Sequence, residues 1–241
     1  MTDVKPKVIA VIPCYNTESH IAEVVTKCLP HVDQVIVVDD ESTDDTAEIA
    51  RKTGALVVNH EVRAGAGAAT RTGFETALKS KADVLVTIDG DGQHDPDDIP
   101  LLIAPILKGE ADLIIGSRFL NKKSNIPLYR KFGIQVINFL YNVGSRLKVS
   151  DSQSCFRAYS KNSVQSLNIT EKGFSFSVQL LIQARRRGLV IAEVPISCTY
   201  DHDSHSLNPI IHGLGVALAI VRLRLKQFIL DLVKGSDGSQ L

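Results

Sequence analysis

The chain has 241 residues, 44% hydrophobic and 22% charged, which suits one globular domain with a real core and excludes a disordered chain. Its 27 Lys and Arg balance 27 Asp and Glu, so the basic excess of a nucleic-acid binder is missing and no nucleic-acid partner is expected. Cys14, Cys28, Cys155 and Cys198 are scattered with no C-x-x-C pair, which excludes a zinc ribbon, a redox motif or a disulfide scaffold and fits a reducing compartment.

The polar Met1–Lys7 has no signal-peptide pattern. It leads into Val8–Ile12, an apolar run that reads as a buried strand. Apolar residues at Ile21, Val24, Val25 and Cys28 predict a helix over Thr17–Leu29. Gln34–Val38 is a second strand, ending in Asp39-Asp40. Ser42-Thr43-Asp44-Asp45 then offers an N-cap for a helix through Ala50. Ala55–Val58 is a third strand, Ala66–Leu78 a helix and Val84–Ile88 a fourth strand. Asp97–Leu107 reads as a helix and Leu113–Ile115 as a fifth strand. Strands that are apolar throughout and alternate with helices predict a mostly parallel sheet with helices on both faces, an α/β fold.

Beyond Gly116 the pattern changes. Pro127–Leu147 predicts a long helix, Ser152–Phe156 a polar loop, and Phe174–Gly188 a helix. Val190–Tyr200 reads as a strand, and Pro195 within it assigns that strand to a sheet edge. Tyr200–Ser206 is a polar loop and Leu207–Val233 a long amphipathic helix. No apolar run reaches the roughly 18–20 residues of a membrane span.

In an open parallel sheet, ligands bind outside the carboxyl ends of the strands. Four such ends carry polar or charged groups here: Cys14-Tyr15-Asn16, Asp39-Asp40, Asp89-Gly90-Asp91 and Gly116-Ser117-Arg118. Asp89 and Asp91 are two residues apart, so in extended chain both carboxylates face one way and can hold one cation. Magnesium and manganese sites use one or two carboxylates plus substrate phosphates. A plain Asp-Gly turn is the alternative. Asp39 and Asp40 can favour the following helix N-terminus or accept from a nucleobase N–H, with Asp40 the stronger candidate. Gly65-Ala66-Gly67-Ala68-Ala69-Thr70 nearly matches a dinucleotide fingerprint, but it follows the third strand and not the first, so a closely packed helix start is expected. No P-loop, G-x-S-x-G or H-E-x-x-H motif occurs.

Val8–Glu18, Val37–Asp44 and Ile88–His94 together resemble the family 2 glycosyltransferases, and Gly116–Arg118 with Asp151–Ala158 resembles the polyprenol-phosphate glycosyltransferase branch. The resemblance implies a GT-A type nucleotide-diphosphate-sugar transferase fold in a catalytic domain over residues 1–206, followed by the amphipathic helix over 207–234 and a flexible tail over 235–241. It implies a nucleotide-sugar donor with GDP or UDP, a polyprenyl or dolichyl phosphate acceptor, and one Mg2+ or Mn2+. Pro13, Tyr15, Glu18, Asp40 and Asp89 match nucleotide-binding positions. Asp89, Asp91 and Gln93 match the metal and diphosphate motif, with Asp91 catalytic. Arg118 and Arg130 match acceptor-phosphate positions, and His202, Ser204 and His205 fall in the loop where relatives place basic residues near that phosphate. The absence of Trp rules out the Gln-x-x-Arg-Trp motif of processive polysaccharide synthases.

Such chemistry is an inverting displacement at the anomeric carbon. Arginine grips phosphate bidentately, so Arg157 joins Arg118 and Arg130 as a candidate, with an ion pair to Asp151 as its structural alternative. A glycosyltransferase using a hydroxyl acceptor, a sugar nucleotidyltransferase and an inactive sugar-nucleotide-binding module stay open. Leu214, Leu218, Val221, Leu225, Phe228 and Leu232 form one apolar stripe, flanked by Arg222, Arg224 and Lys226. That pattern suits a helix lying on a membrane surface, and equally one packed on its own sheet or against another copy in a homo-oligomer. The expected location is cytoplasmic, peripheral on the cytoplasmic face of a membrane.

Overall fold

Runs of Val, Ile and Leu that are apolar at almost every position become strands covered on both faces. In the computed structural model these are β1 (Val8–Cys14), β2 (Gln34–Asp39), β4 (Val84–Thr87) and β5 (Leu113–Ser117), with β3 (Leu56–Asn59) only partly covered at the sheet edge. Two more, β6 (Arg157–Ser160) and β7 (Ile191–Pro195), complete one sheet in the order β3-β2-β1-β4-β6-β5-β7. The structure describes residues 5–120, 126, 128–145, 148–199, 215 and 217–223.

All strand pairs are parallel except those of β6, which runs antiparallel between β4 and β5. β6 lies in a stretch with no predicted strand. It is short and begins with an arginine, so periodicity does not reveal it. β7 occupies the sheet edge, as Pro195 requires, and ends at that proline.

Period-2 alternation divides the core in two. Ile9, Val11, Ile36, Val38, Leu85 and Tyr159 face α3 (Ala66–Lys79), α5 (Leu128–Asn142) and α7 (Phe176–Arg186). Ala10, Ile12, Val35, Val37, Val86 and Ala158 face α1 (Glu18–Cys28), α2 (Thr46–Lys52) and α4 (Ile99–Leu107). The unpredicted α6 (Lys161–Ser166) is capped by Ser160, whose side chain accepts from the Ser163 N–H. Asp95 caps the tight turn Pro96–Asp98 that leads into α4.

Of the predicted C-terminal helix, residues 215 and 217–223 are helical, and the remainder lies outside the described residues. Ile220 is buried in the α5–α7 side of the core and Arg222 pairs with Glu171. Of the predicted stripe, the described Leu218 and Val221 face away from that core, 63% and 45% exposed, and its other residues lie outside the described ones. Among the described residues no helix is long and apolar enough to cross a membrane.

The glycine-rich start of α3 is a backbone contact. Gly67 donates its N–H to the Lys172 carbonyl at 2.7 Å, and a Cβ on Gly67 would lie 2.0 Å from the Glu171 oxygen. Gly67→Ala should therefore destabilise the fold by roughly 1–3 kcal/mol through overpacking. Helix propensity alone would give about 1 kcal/mol in the other direction. Urea denaturation of the two proteins reads the sign.

Candidate active site

The carboxyl ends of β1, β2, β4 and β5 open on one edge of the sheet, and the charged side chains collect there. Where β4 ends, the chain turns through Asp89-Gly90-Asp91. A Cβ on Gly90 would stand 2.6 Å from the buried Cys14 Sγ, so only glycine lets β4 close against β1 at this point. The Asp89 side chain is 34% exposed. Burial by its walls, and then the Asp91 carboxylate beside it, push its pKa up to about 7, with the Arg118 charge opposing. Asp91 accepts from the Gln93 backbone N–H at 3.1 Å and from its side-chain amide at 2.8 Å.

Two carboxylates forced together in partly desolvated surroundings are a place for a cation. Among the described residues no group of three His, Cys, Asp or Glu could hold a metal. A divalent ion on Asp89 and Asp91 would therefore complete its shell with phosphate oxygens, water or the Gln93 carbonyl, which suits Mg2+ or Mn2+ chemistry. His94 stands close, its Nε2 3.9 Å from Asp89 and its ring against Phe156. Burial, and then the Arg118 charge, push its pKa down to about 3. It is neutral and brings no charge to Asp89. Its Nδ1 is buried without a partner.

Arg118 follows β5 and meets Asp151 as a fork. Its Nε and Nη2 donate to the two Asp151 oxygens at 2.7 and 2.8 Å, and its backbone N–H joins at 3.1 Å. The arginine side chain is 10% exposed and the aspartate is fully buried. The aspartate's own segment is held by Glu193 of β7, which accepts from the backbone N–H groups of Ser150 and Asp151 and from the Ser150 hydroxyl.

At the end of β2 the adjacent aspartates differ. Asp40 accepts from His60 at 2.7 Å, from the Ala64 N–H at 2.8 Å and from the Gly65 N–H at 2.7 Å. Burial would raise its pKa, but these bonds outweigh burial and hold it below 3.8. Asp40 was expected to hold the nucleoside. Both its oxygens accept from the chain itself, which pins residues 60–65. Asp39 is 3% exposed and has a buried Oδ1 with no partner. Tyr15 lies nearby under the Arg63 guanidinium, 3.6 Å from carbon to ring centroid. Pro13 sits within β1, in register with Val38 of β2. Glu18 opens α1, accepts from the Asp45 N–H and donates its own N–H to Asp44, which locks the start of α1 to that of α2.

Arg157, expected at the acceptor phosphate, is instead a support within the core. It is 1% exposed, and its guanidinium donates to the carbonyls of Ser154, Ser177 and Ser152 at 2.7–2.9 Å. An acceptor phosphate cannot reach it, and Asp151, its expected structural partner, belongs to Arg118. The Arg130 side chain, His202, Ser204 and His205 lie outside the described residues.

The profile of glycosyl transferase family 2 matches residues 9–167. The chain belongs to that family. A UDP-N-acetylglucosamine–dolichyl-phosphate N-acetylglucosaminyltransferase of Methanococcus voltae is 35% identical over 212 residues, covering 79% of this chain and 84% of the relative. An undecaprenyl-phosphate mannosyltransferase of Micrococcus luteus is 33% identical over 205 residues, covering 79% and 83%. Among solved structures, glucosyl-3-phosphoglycerate synthase of Mycobacterium tuberculosis, in complex with Mn2+, UDP-glucose and phosphoglyceric acid, matches with TM-score 0.71 at 26% identity, covering 92% of this chain and 79% of that one. The fold of this family 2 glycosyltransferase is of the GT-A type.

Two stability tests follow from these contacts. Arg118→Ala leaves the buried Asp151 carboxylate uncompensated and should cost about 3–5 kcal/mol in urea denaturation. The stability from Asp40 is fully present above pH 3.8 and is lost as pH falls through its lower folded-state value. Asp40→Asn should thus unfold at lower urea than the parent at neutral pH, and the gap should narrow in acid.

Proposed function

We propose that this family 2 glycosyltransferase moves a sugar from a nucleotide-diphosphate-sugar to a polyprenyl or dolichyl phosphate, inverting the anomeric carbon. The observation that carries this reading is the Asp89–Asp91 pair with the Asp151-anchored Arg118 on the same sheet edge. Such an arrangement suits a reaction in which two phosphate-bearing molecules must meet. The names of the Methanococcus and Micrococcus relatives support the lipid-phosphate acceptor. The Mn2+ and UDP-glucose of the solved relative support the donor class and the metal.

An oxygen of the acceptor phosphate attacks C1 of the sugar as the bond from C1 to the donor phosphate oxygen breaks. The nucleoside diphosphate leaves with that electron pair. A phosphate monoester has its second pKa near ~6 and is largely dianionic at neutral pH, so no side chain has to remove a proton. Asp89 and Asp91 would hold Mg2+ or Mn2+, which when bound supplies positive charge to the leaving diphosphate. Asp39, with its unpartnered Oδ1, backs the nucleobase side of the site beside the Tyr15–Arg63 stack. Pro13 and Glu18 shape the nucleoside side of the site. Arg118 presents positive charge between donor and acceptor, fixed in direction by Asp151. Arg130, His202, Ser204 and His205 belong to the acceptor side of this proposal.

A panel of radiolabelled sugar nucleotides, incubated with polyprenyl phosphate in detergent and extracted into organic solvent, tests the reading. Label should enter the organic phase with Mg2+ or Mn2+ and not with EDTA. Asp91→Ala should abolish transfer while its circular dichroism and urea midpoint match the parent. Full activity in EDTA or in Asp91→Ala would remove the metal role. Label that stays in water with phosphoglyceric acid as acceptor would favour the reaction suggested by the Mycobacterium relative.

A further inference from the structure

Helix α5 presents a face that the reaction does not use. Phe132, Val136, Phe139 and Val143, spaced four, three and four, are 70%, 42%, 69% and 47% exposed. The opposite side is firmly seated: Ile137 and Tyr141 are buried in the core. Single exposed apolar residues are ordinary, but a continuous stripe led by two phenylalanines marks a surface that meets something.

The charge around the stripe says what it meets. Between Phe119 and Ser150 the chain carries Lys122, Lys123, Arg130, Lys131, Arg146 and Lys148 and no Asp or Glu, although the protein as a whole is neutral. Lys131 and Lys148 are exposed among the described residues. A second copy docking by the same face would bring this acid-free segment against itself, like charge on like. An exposed apolar stripe in a cationic, acid-free segment is complementary to a bilayer whose headgroups are anionic.

The helix is also tied to the site. The Asn138 side chain accepts from the Ser152 backbone N–H and hydroxyl and donates to the Ser150 carbonyl. Asn142 exchanges hydrogen bonds with both backbone groups of Val149. These two residues fix the segment that carries Asp151, and Asp151 fixes Arg118. A surface that holds α5 therefore holds the acceptor side of the site against itself.

We infer that α5, through Phe132, Val136, Phe139 and Val143, docks this enzyme on an anionic lipid bilayer and so presents the Arg118 side of the site to a phosphate at the membrane surface. The inference takes its acceptor from the proposed function, but its test does not need that acceptor. The full chain is mixed with phosphatidylcholine vesicles, with and without phosphatidylglycerol and without polyprenyl phosphate, and floated on a gradient. The parent should float with the anionic vesicles, less so in high salt. F132S/F139S should bind at least roughly tenfold more weakly. Its thermal unfolding should be unchanged, since both rings already face water. L218S/V221S, on the C-terminal helix, should float like the parent. A second measurement uses the absence of Trp: F139W carries the chain's single tryptophan, and its emission should shift to the blue on anionic vesicles.

The inference is overturned if the parent fails to float, if F132S/F139S floats like the parent, if L218S/V221S alone abolishes flotation, or if F139W emission stays unshifted while the protein floats. A dimer that F132S/F139S dissociates, with no flotation of the parent, would assign the face to a second copy. Flotation without sugar transfer in detergent would instead leave the docking face standing and reject the proposed acceptor.

Discussion

Asp89 and Asp91 stand together where β4 ends, in surroundings that disfavour negative charge, on either side of a Gly90 that leaves no room for a side chain beside Cys14. Repulsion between like charges near a low-dielectric wall is relieved by a cation or by protonation. The rest of the site is arranged around that demand. His94, 3.9 Å from Asp89, is kept neutral by its own burial and leaves the demand unmet. Arg118 meets part of it across the edge, but its charge is shared with Asp151.

The positive side of the site depends on a chain of supports that reaches far from the chemistry. Arg118 is aimed by Asp151, Asp151 is seated by Glu193 from the sheet edge, and the neighbouring loop is held up by Arg157 from within the core. Each contact is a charged group bonded to backbone or to an opposite charge, the condition for burying charge at all. The antiparallel β6 has its place in this chain. By entering the sheet between β4 and β5 it carries Arg157 under the loop that Asp151 begins.

The periodic segments were legible because their physics is local. The apolar runs that became β1, β2, β4 and β5, and the 3.6-residue stripes that became α1, α3 and α4, carry their burial in their own residue order. The near-fingerprint at Gly65 follows the third strand and makes the closely packed helix start that this place implies. Pro195 announced an edge because a proline has no N–H to give a second neighbour. β6 and α6 left no such signal, being four and six residues long and polar at their starts.

The residue order alone determined the class of fold and the positions of charge at the strand ends, since strand polarity and the i, i+2 geometry of Asp89 and Asp91 follow from the backbone. It also determined which family the chain resembles. Which charge is free and which is engaged was decided by the tertiary structure. Asp39 and Asp40 are adjacent and chemically identical, yet one has an unpartnered oxygen and the other closes a loop with His60, Ala64 and Gly65. Arg118 and Arg157 both carry a guanidinium that suits a phosphate, but packing buries one among three carbonyls and forks the other to Asp151 at the strand ends. Most of these partners, from His60 for Asp40 to Asp151 for Arg118 and Ser177 for Arg157, come from segments far along the chain, and only the folded chain brings them within hydrogen-bonding distance.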